Sequence, residues 1–341
     1  MAVLVLALEL ACCLGLGAAA LHLLRVLPDL RWDERLSWSF AIGFGLLGWV
    51  LFFFGAAGLF SGAALLALLI IGALGMVFLR AGPTWQLGRP ELPDWVLILA
   101  FAVVFTFDLL EGLSPPSDAD SLAYHFALPR QFLEAGALVF QPRALDGAIP
   151  LLTQMTYVPA LGLGGERALT LWTMISGWAV GFLLYSYCRR YMDGRIAGLV
   201  VLVFLSTPAV LYVGGSGQVE TRNALFVMMA VVAVSENFRT GLLRYALLAG
   251  LAAGFFVGAK YLGLLFAFAC GLGLLIRGSR ITQGAVFSLA MLAAGFQWYL
   301  WNWLHTGDPV FPLLVGNYGI GNVALWPQEF QAYFVENVLR M

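Results

Sequence analysis

The sequence predicts an all-α, polytopic membrane protein, and three observations carry that expectation. Charged residues are 11% of the chain and hydrophobic ones 61%, against roughly 25% charged in soluble proteins. Runs of about 20 apolar residues recur along the whole length, enough for an α-helix to cross a bilayer core. The basic residues gather in short connections between those runs, as they do on the cytoplasmic side of membrane proteins. There is no basic tract, so no nucleic-acid partner is expected.

Ten spans are predicted, at about 2–24, 37–60, 62–79, 94–113, 165–187, 193–212, 222–238, 243–259, 262–277 and 283–301. The first, in MAVLVLALELACCLGLG, has no positive stretch before it and carries Glu9 inside. It therefore reads as a span and not as a cleaved signal peptide. Cys12, Cys13, Cys188 and Cys270 fall in or at the ends of predicted helices without metal-ligand spacing, which makes them small apolar residues. His22 lies in the first span and reads as a packing residue.

Orientation follows from the loops. Arg25, Arg31, Arg35, Arg80, Arg89, Arg189, Arg190, Arg195, Arg239, Arg244, Arg277 and Arg280 all lie on one face, twelve of the 18 basic residues. Arg130, Arg143, Arg167, Arg222, Lys260 and Arg340 lie on the other, spread over longer segments. The first face is expected to be cytoplasmic. The N-terminus, the 114–164 loop and the C-terminal tail are then outside. The same parity brings PPSDADSLAYHFALPRQFLEAG (115–136), GGSGQVETRN (214–223), Lys260 and NWLHTGDPVFP (302–312) to one membrane surface. Ionisable groups are costly near the bilayer, so their gathering marks a functional site.

The outer loop has structure of its own. Ser117 or Asp118 is an N-cap, Leu122, Phe126, Phe132 and Leu133 form an apolar stripe broken near Pro129, and Gly136 is a stop. This predicts an amphipathic helix along the interface. Residues 149–163, IPLLTQMTYVPALGL, are too short and too marked by proline for a span, which predicts a re-entrant or interfacial helix.

Four stretches carry a family resemblance. They are D-x-x-x-Y at 120–124 in its loop, LSTPAVLYVGGSGQVET (205–221), GLAAGFFVGAKYLGLL (250–265) and WYLWNWLHTGDPVFPLL (298–314). In this order they resemble the GT-C membrane glycosyltransferases, and most of all the bacterial enzymes similar to protein mannosyltransferases and aminoarabinose transferases. The resemblance covers roughly 94–320 and implies a shared seven-helix module, preceded by a three-span extension at 1–93 and followed by a short outer tail at 321–341. It implies a polyprenyl-phosphate-linked sugar donor, an acceptor on the outer face, and a catalytic Asp in the first loop, which falls on Asp120. Ser121 stands where the family commonly has an acidic partner, and Gln297 and Trp301 stand in place of its usual Pro and Arg.

Each candidate has a plainer reading beside it. Asp120 suits a general base that deprotonates the acceptor, with Asp118 the nearest second carboxylate. Alternatively Asp118 caps a helix and Asp120 complements its dipole. No cofactor is expected, although two carboxylates spaced as in D-A-D also suit a divalent cation. Lys260, the only lysine, suits the donor phosphate or else snorkels. Glu220 and Arg222 form a substrate clamp or pair with each other. His125 and Tyr124 shape the acceptor side or are structural, and Arg143 and His305 are weaker candidates of the same kind. Trp298, Trp301 and Trp303 suit an interfacial belt.

The expected activity is therefore glycosyl transfer from a polyprenyl-phosphate sugar at the outer face. The alternative is a non-catalytic scaffold or accessory subunit with membrane-protein partners. A transporter needs mid-membrane polar residues or inverted repeats, and the ionisable residues gather at one surface instead.

Overall fold

The structure is a computed structural model that describes residues 1–80, 91–142, 148–278 and 281–327, with positions 329, 332 and 336. Its regular elements are helical: α1 (Ala2–Leu23), α2 (Trp32–Ala56), α3 (Gly62–Leu74), α4 (Leu92–Leu113), α5 (Ala127–Ala135), α6 (Leu152–Met155), α7 (Tyr157–Cys188), α8 (Gly194–Leu205), α9 (Pro208–Gly214), α10 (Glu220–Thr240), α11 (Leu243–Val257), α12 (Leu262–Gly278), α13 (Ile281–Thr306) and α14 (Leu313–Tyr318). Helices occupy all ten predicted segments. Six are long and apolar enough to cross a membrane, and a seventh if α8 and α9, bent by 74°, form one broken span. The others fall short for physical reasons. α11 and α12 have 15 and 17 residues, while α10 is long enough but carries Glu220, Arg222, Asn223, Glu236 and Arg239.

Local chemistry sets the ends. Ser61 accepts from the Ala64 amide at 3.3 Å and starts α3, and Asp193 accepts from the Arg195 and Ile196 amides and starts α8. α2 begins at Trp32, earlier than expected, because Glu34 reaches back to the Arg31 amide at 3.0 Å. The charged first turn thereby joins the helix.

Small residues let the spans approach closely. A Cβ on Gly17 of α1 would lie 1.8 Å from the Ser39 carbonyl oxygen of α2, and one on Gly15 would lie 2.1 Å from that of Gly72 in α3. In the core, Trp172, Phe44, Phe226 and Phe255 join α7, α2, α10 and α11, with successive ring centroids 6.0, 5.8 and 5.7 Å apart. One apolar core runs from Leu6 to Trp298 and takes in residues from Leu6 to Leu79, so the first three helices pack as part of the bundle.

The basic end of the bundle is pinned by ions. Arg190, at the end of α7, pairs with Glu34 of α2 and Glu236 of α10, and both carboxylates are buried. Its guanidinium lies over the Trp38 ring. Arg31 donates to the Ser186 carbonyl at 2.7 Å, and Arg195 of α8 pairs with Asp94 of α4 at 2.8 Å.

The outer loop differs from the expected single amphipathic helix. A five-residue π turn, Ser121–His125, comes first, and α5 follows after Phe126. The break is at Phe126 and not near Pro129, because Pro129 lies in the first turn of α5, where its missing N–H removes no helical bond. Gly136 ends α5 at φ 67°, as expected. The stretch 149–163, expected to be re-entrant or interfacial, forms an arm whose residues 150–160 are buried in the protein throughout. The arm ends at a kink in α7 at Gly165, whose φ of 73° is open to glycine, and α7 continues from there along the predicted span.

Candidate functional site

The end of the bundle away from Arg190 knots three segments together: the π turn, the buried arm and the break between α9 and α10. Asp118 caps the turn, accepting from the Ser121 amide at 2.9 Å. The Ser121 hydroxyl, fully buried, accepts from the Gly217 amide at 2.8 Å. Tyr157 donates its hydroxyl to the Gly217 carbonyl at 3.2 Å. A side chain on Gly217 would strike both Ser121 and Phe126, so this glycine is fixed by close approach. Ser121 thus acts as a latch between two loops, in a position where a carboxylate would have to be buried.

His125 follows in the same turn. It is 1% exposed, its Nδ1 lies 2.9 Å from Gln154 Nε2, and the Tyr124 ring lies tilted against it at 4.0 Å. Burial holds its pKa down at about 3, so the imidazole is neutral at physiological pH. Its Nε2 and the Gln154 Oε1 are buried without a partner among the described residues. Thr153, beside Gln154, donates to Asn223 Oδ1 at 2.7 Å and ties the arm to α10. The charges that face His125 are Glu220, Lys260, Asp118 and Arg222. Glu220 and Lys260 form an ion pair at the surface, with 51% and 30% of their side chains exposed. Asp120 opens the π turn and is exposed.

Arg222 corrects an expectation. It was expected to contact substrate, yet it is fully buried and donates to the carbonyls of Thr173, Val213, Gly214 and Gln218. A guanidinium carries five N–H donors, and here they hold the glycine-rich break of GGSGQ against α7. The carboxylates facing it are Glu111, Glu220 and Asp108. Asp108 accepts from Trp178 Nε1 at 2.7 Å, and Glu111 accepts from the Gly215 amide at 3.1 Å. Sequence reasoning passed over both acids, although their spacing of one turn at the end of an apolar span, in FDLLEGL, is a readable signal. It also passed over Gln154 and Asn223, which nothing in the sequence distinguishes from ordinary polar residues.

The remaining candidates lie apart from this knot or outside it. His305 stacks on Phe140 at 4.6 Å and lies tilted against Trp301 at 4.1 Å, and its Nδ1 lies 2.8 Å from the Trp301 carbonyl oxygen. Arg143 lies outside the described residues. The NWLHTGDPVFP stretch is a structural corner. Buried Asp308 accepts from the amides of Val310, Leu314 and Val315, and Asn302 donates to the Ala148 carbonyl at 2.7 Å, which fixes the entry to the arm. His22 stacks on Phe78 at 4.4 Å, in keeping with packing. Among the described residues no three His, Cys, Asp or Glu side chains group as a metal site.

The opposite flank of the π turn opens on a cavity of about 430 Å³, lined by Pro115, Leu122, Phe126, Arg130, Glu134 and Glu166. Arg130 and Glu166 pair across it at 3.1 Å. The turn therefore has a charged flank towards Glu220 and Lys260 and an amphipathic flank towards α5. Comparison with family models, curated proteins and solved structures gives no match for this chain.

Proposed function

We propose that the chain is a ten-span, GT-C-like glycosyltransferase of a bacterial inner membrane, taking its sugar from a polyprenyl phosphate at the outer face. The reading rests on one observation: the turn that begins with Asp120 is latched into place beside a neutral imidazole and the only lysine. In this reading Asp120, open to the outer side, is the general base. Lys260 meets the donor phosphate, exchanging its partner Glu220 for the substrate. Neutral His125, Tyr124 and Asp118 shape the charged flank, and the cavity beside Leu122 and Arg130 receives the acceptor. Arg222 has no place among the substrate contacts. It is a positioning residue for the 214–218 break.

A second reading, a non-catalytic scaffold, is favoured by the same geometry of cations. Lys260 is neutralised by Glu220, and Arg222 is saturated by carbonyls. Transfer from a labelled polyprenyl-phosphate sugar in membranes carrying wild-type protein or Asp120→Asn separates the two. Turnover by the wild type, lost in the variant at equal protein level, supports the enzyme. No turnover by the wild type across several donors supports the scaffold.

A further inference from the structure

We infer that the basic end of the bundle carries a seat for a zwitterionic aminophospholipid, with the phosphate on Arg189 and Tyr185 and the acyl chains in two slots against α7. The observations lie far from the outer site. A slot of about 190 Å³ lies between α7, α4 and α8, lined by Phe101, Trp178, Phe182, Tyr185, Val201 and Leu205. A second slot of about 310 Å³ shares the Trp178 and Phe182 walls and extends to Leu10, Leu14 and Phe40. Both are almost wholly apolar, and a diacyl lipid brings two chains.

The polar end is built at Gly194. A Cβ there would lie 3.4 Å from the Tyr185 hydroxyl and 3.5 Å from Arg189 Nη1, so both groups border the space that Gly194 leaves open. Neither makes a hydrogen bond or ion pair with another described residue. Arg189 is exposed, and Tyr185 lines the slot. A guanidinium and a phenol at the mouth of an apolar slot are donors for a phosphate at the bilayer surface.

The neighbouring acids decide which phospholipid. Asp193 is exposed and adjoins Gly194, with one carboxylate oxygen, Oδ1, taken by the Arg195 and Ile196 amides. Glu91 and Asp94 stand nearby, paired with Arg195. A purely anionic headgroup meets these carboxylates, whereas a headgroup with an ammonium finds Asp193 as its partner. The slots run from Tyr185 towards Trp178, about 10 Å along α7 from the basic end. They therefore take chains from the leaflet on that side and not from the leaflet of the outer site.

The test is native mass spectrometry of the full chain, released from bilayers holding equal parts of phosphatidylethanolamine, phosphatidylglycerol and phosphatidylcholine. The variant is Tyr185→Phe with Arg189→Gln, whose altered groups have no internal partner, with an unchanged melting temperature as the check on folding. The wild type is expected to retain phosphatidylethanolamine, and the double variant to lose about fivefold of that occupancy, the factor that ~1 kcal/mol per surface arginine represents. Equal retention of phosphatidylglycerol by the wild type overturns the inference. So does unchanged occupancy in the variant, or a polyprenyl phosphate as the adduct that is lost.

Discussion

Replacing Arg222 by glutamine separates a scaffold role from a substrate role. The wild-type guanidinium donates to four backbone carbonyls from a fully buried position. Glutamine offers two donors, so at least two of those carbonyls lose their partner, at roughly 1–3 kcal/mol each. The change also strips Asp108 and Glu111 of the cation that faces them. Breaking a buried charge arrangement costs about 3–5 kcal/mol. The two estimates overlap, and a loss of about 4 kcal/mol is expected. Arg222→Lys keeps the charge but loses the planar fork, and about half of that loss is expected. The assay is the unfolding midpoint in mild detergent, read alongside proteolysis of the 214–218 segment. Unchanged stability in Arg222→Gln, with only substrate binding weakened, would refute the structural role and restore Arg222 to the substrate contacts.

Three more outcomes follow from the same geometry. The His125 pKa is depressed from 6.5 to about 3. Below pH 6.5 the unfolded chain therefore takes up a proton that the folded one refuses, and stability falls as pH drops towards 3. At pH 5 the loss is about 2 kcal/mol, and equilibrium unfolding of His125→Asn across pH 5–7.5 should be flatter by that amount. Ser121→Ala leaves the Gly217 amide without its acceptor and should cost about 1–3 kcal/mol. Ser121→Asp should cost more in the same unfolding measurement, because it buries a carboxylate. Lys260→Gln breaks only a half-exposed pair and should shift unfolding by less than about 1 kcal/mol. A loss of lipid-phosphate binding in that variant would then report on the ligand alone.

The helices were legible because apolar runs of spanning length have few other uses. The stop at Gly136 was legible because a glycine that ends a helix is a local signal. The break of the outer loop was misread at Pro129, since a proline's effect depends on whether it stands in a first turn or an interior. The site was half legible. Asp118, Tyr124, His125, Glu220 and Lys260 announce themselves as polar residues in an apolar chain, and parity puts them on one face. What each one bonds is set by long-range packing. Ser121 meets Gly217 from 96 residues away, and Arg222 meets Thr173 from 49. No local pattern distinguishes an arginine that awaits a phosphate from one already surrounded by carbonyls. Asp108 and Glu111 were lost inside a span because the hydropathy of their neighbours dominates the window.

The buried arm also sets an order of events during synthesis. It is an apolar segment whose bonding partner Asn223 lies 70 residues downstream of Thr153, and Leu152 donates to the Gly258 carbonyl, later still. At roughly 5–20 residues per second, the ribosome needs about 4–14 s to deliver Asn223 after Thr153 has emerged. Through that interval the arm has left the ribosome, while part of the chamber that will enclose it does not yet exist. It must wait at the membrane surface or be held by the insertion machinery, and the bundle closes around it only as α10 to α13 arrive. Truncation before α11 therefore strands the arm as well as shortening the protein, and leaves an exposed greasy hook for proteases that patrol the bilayer.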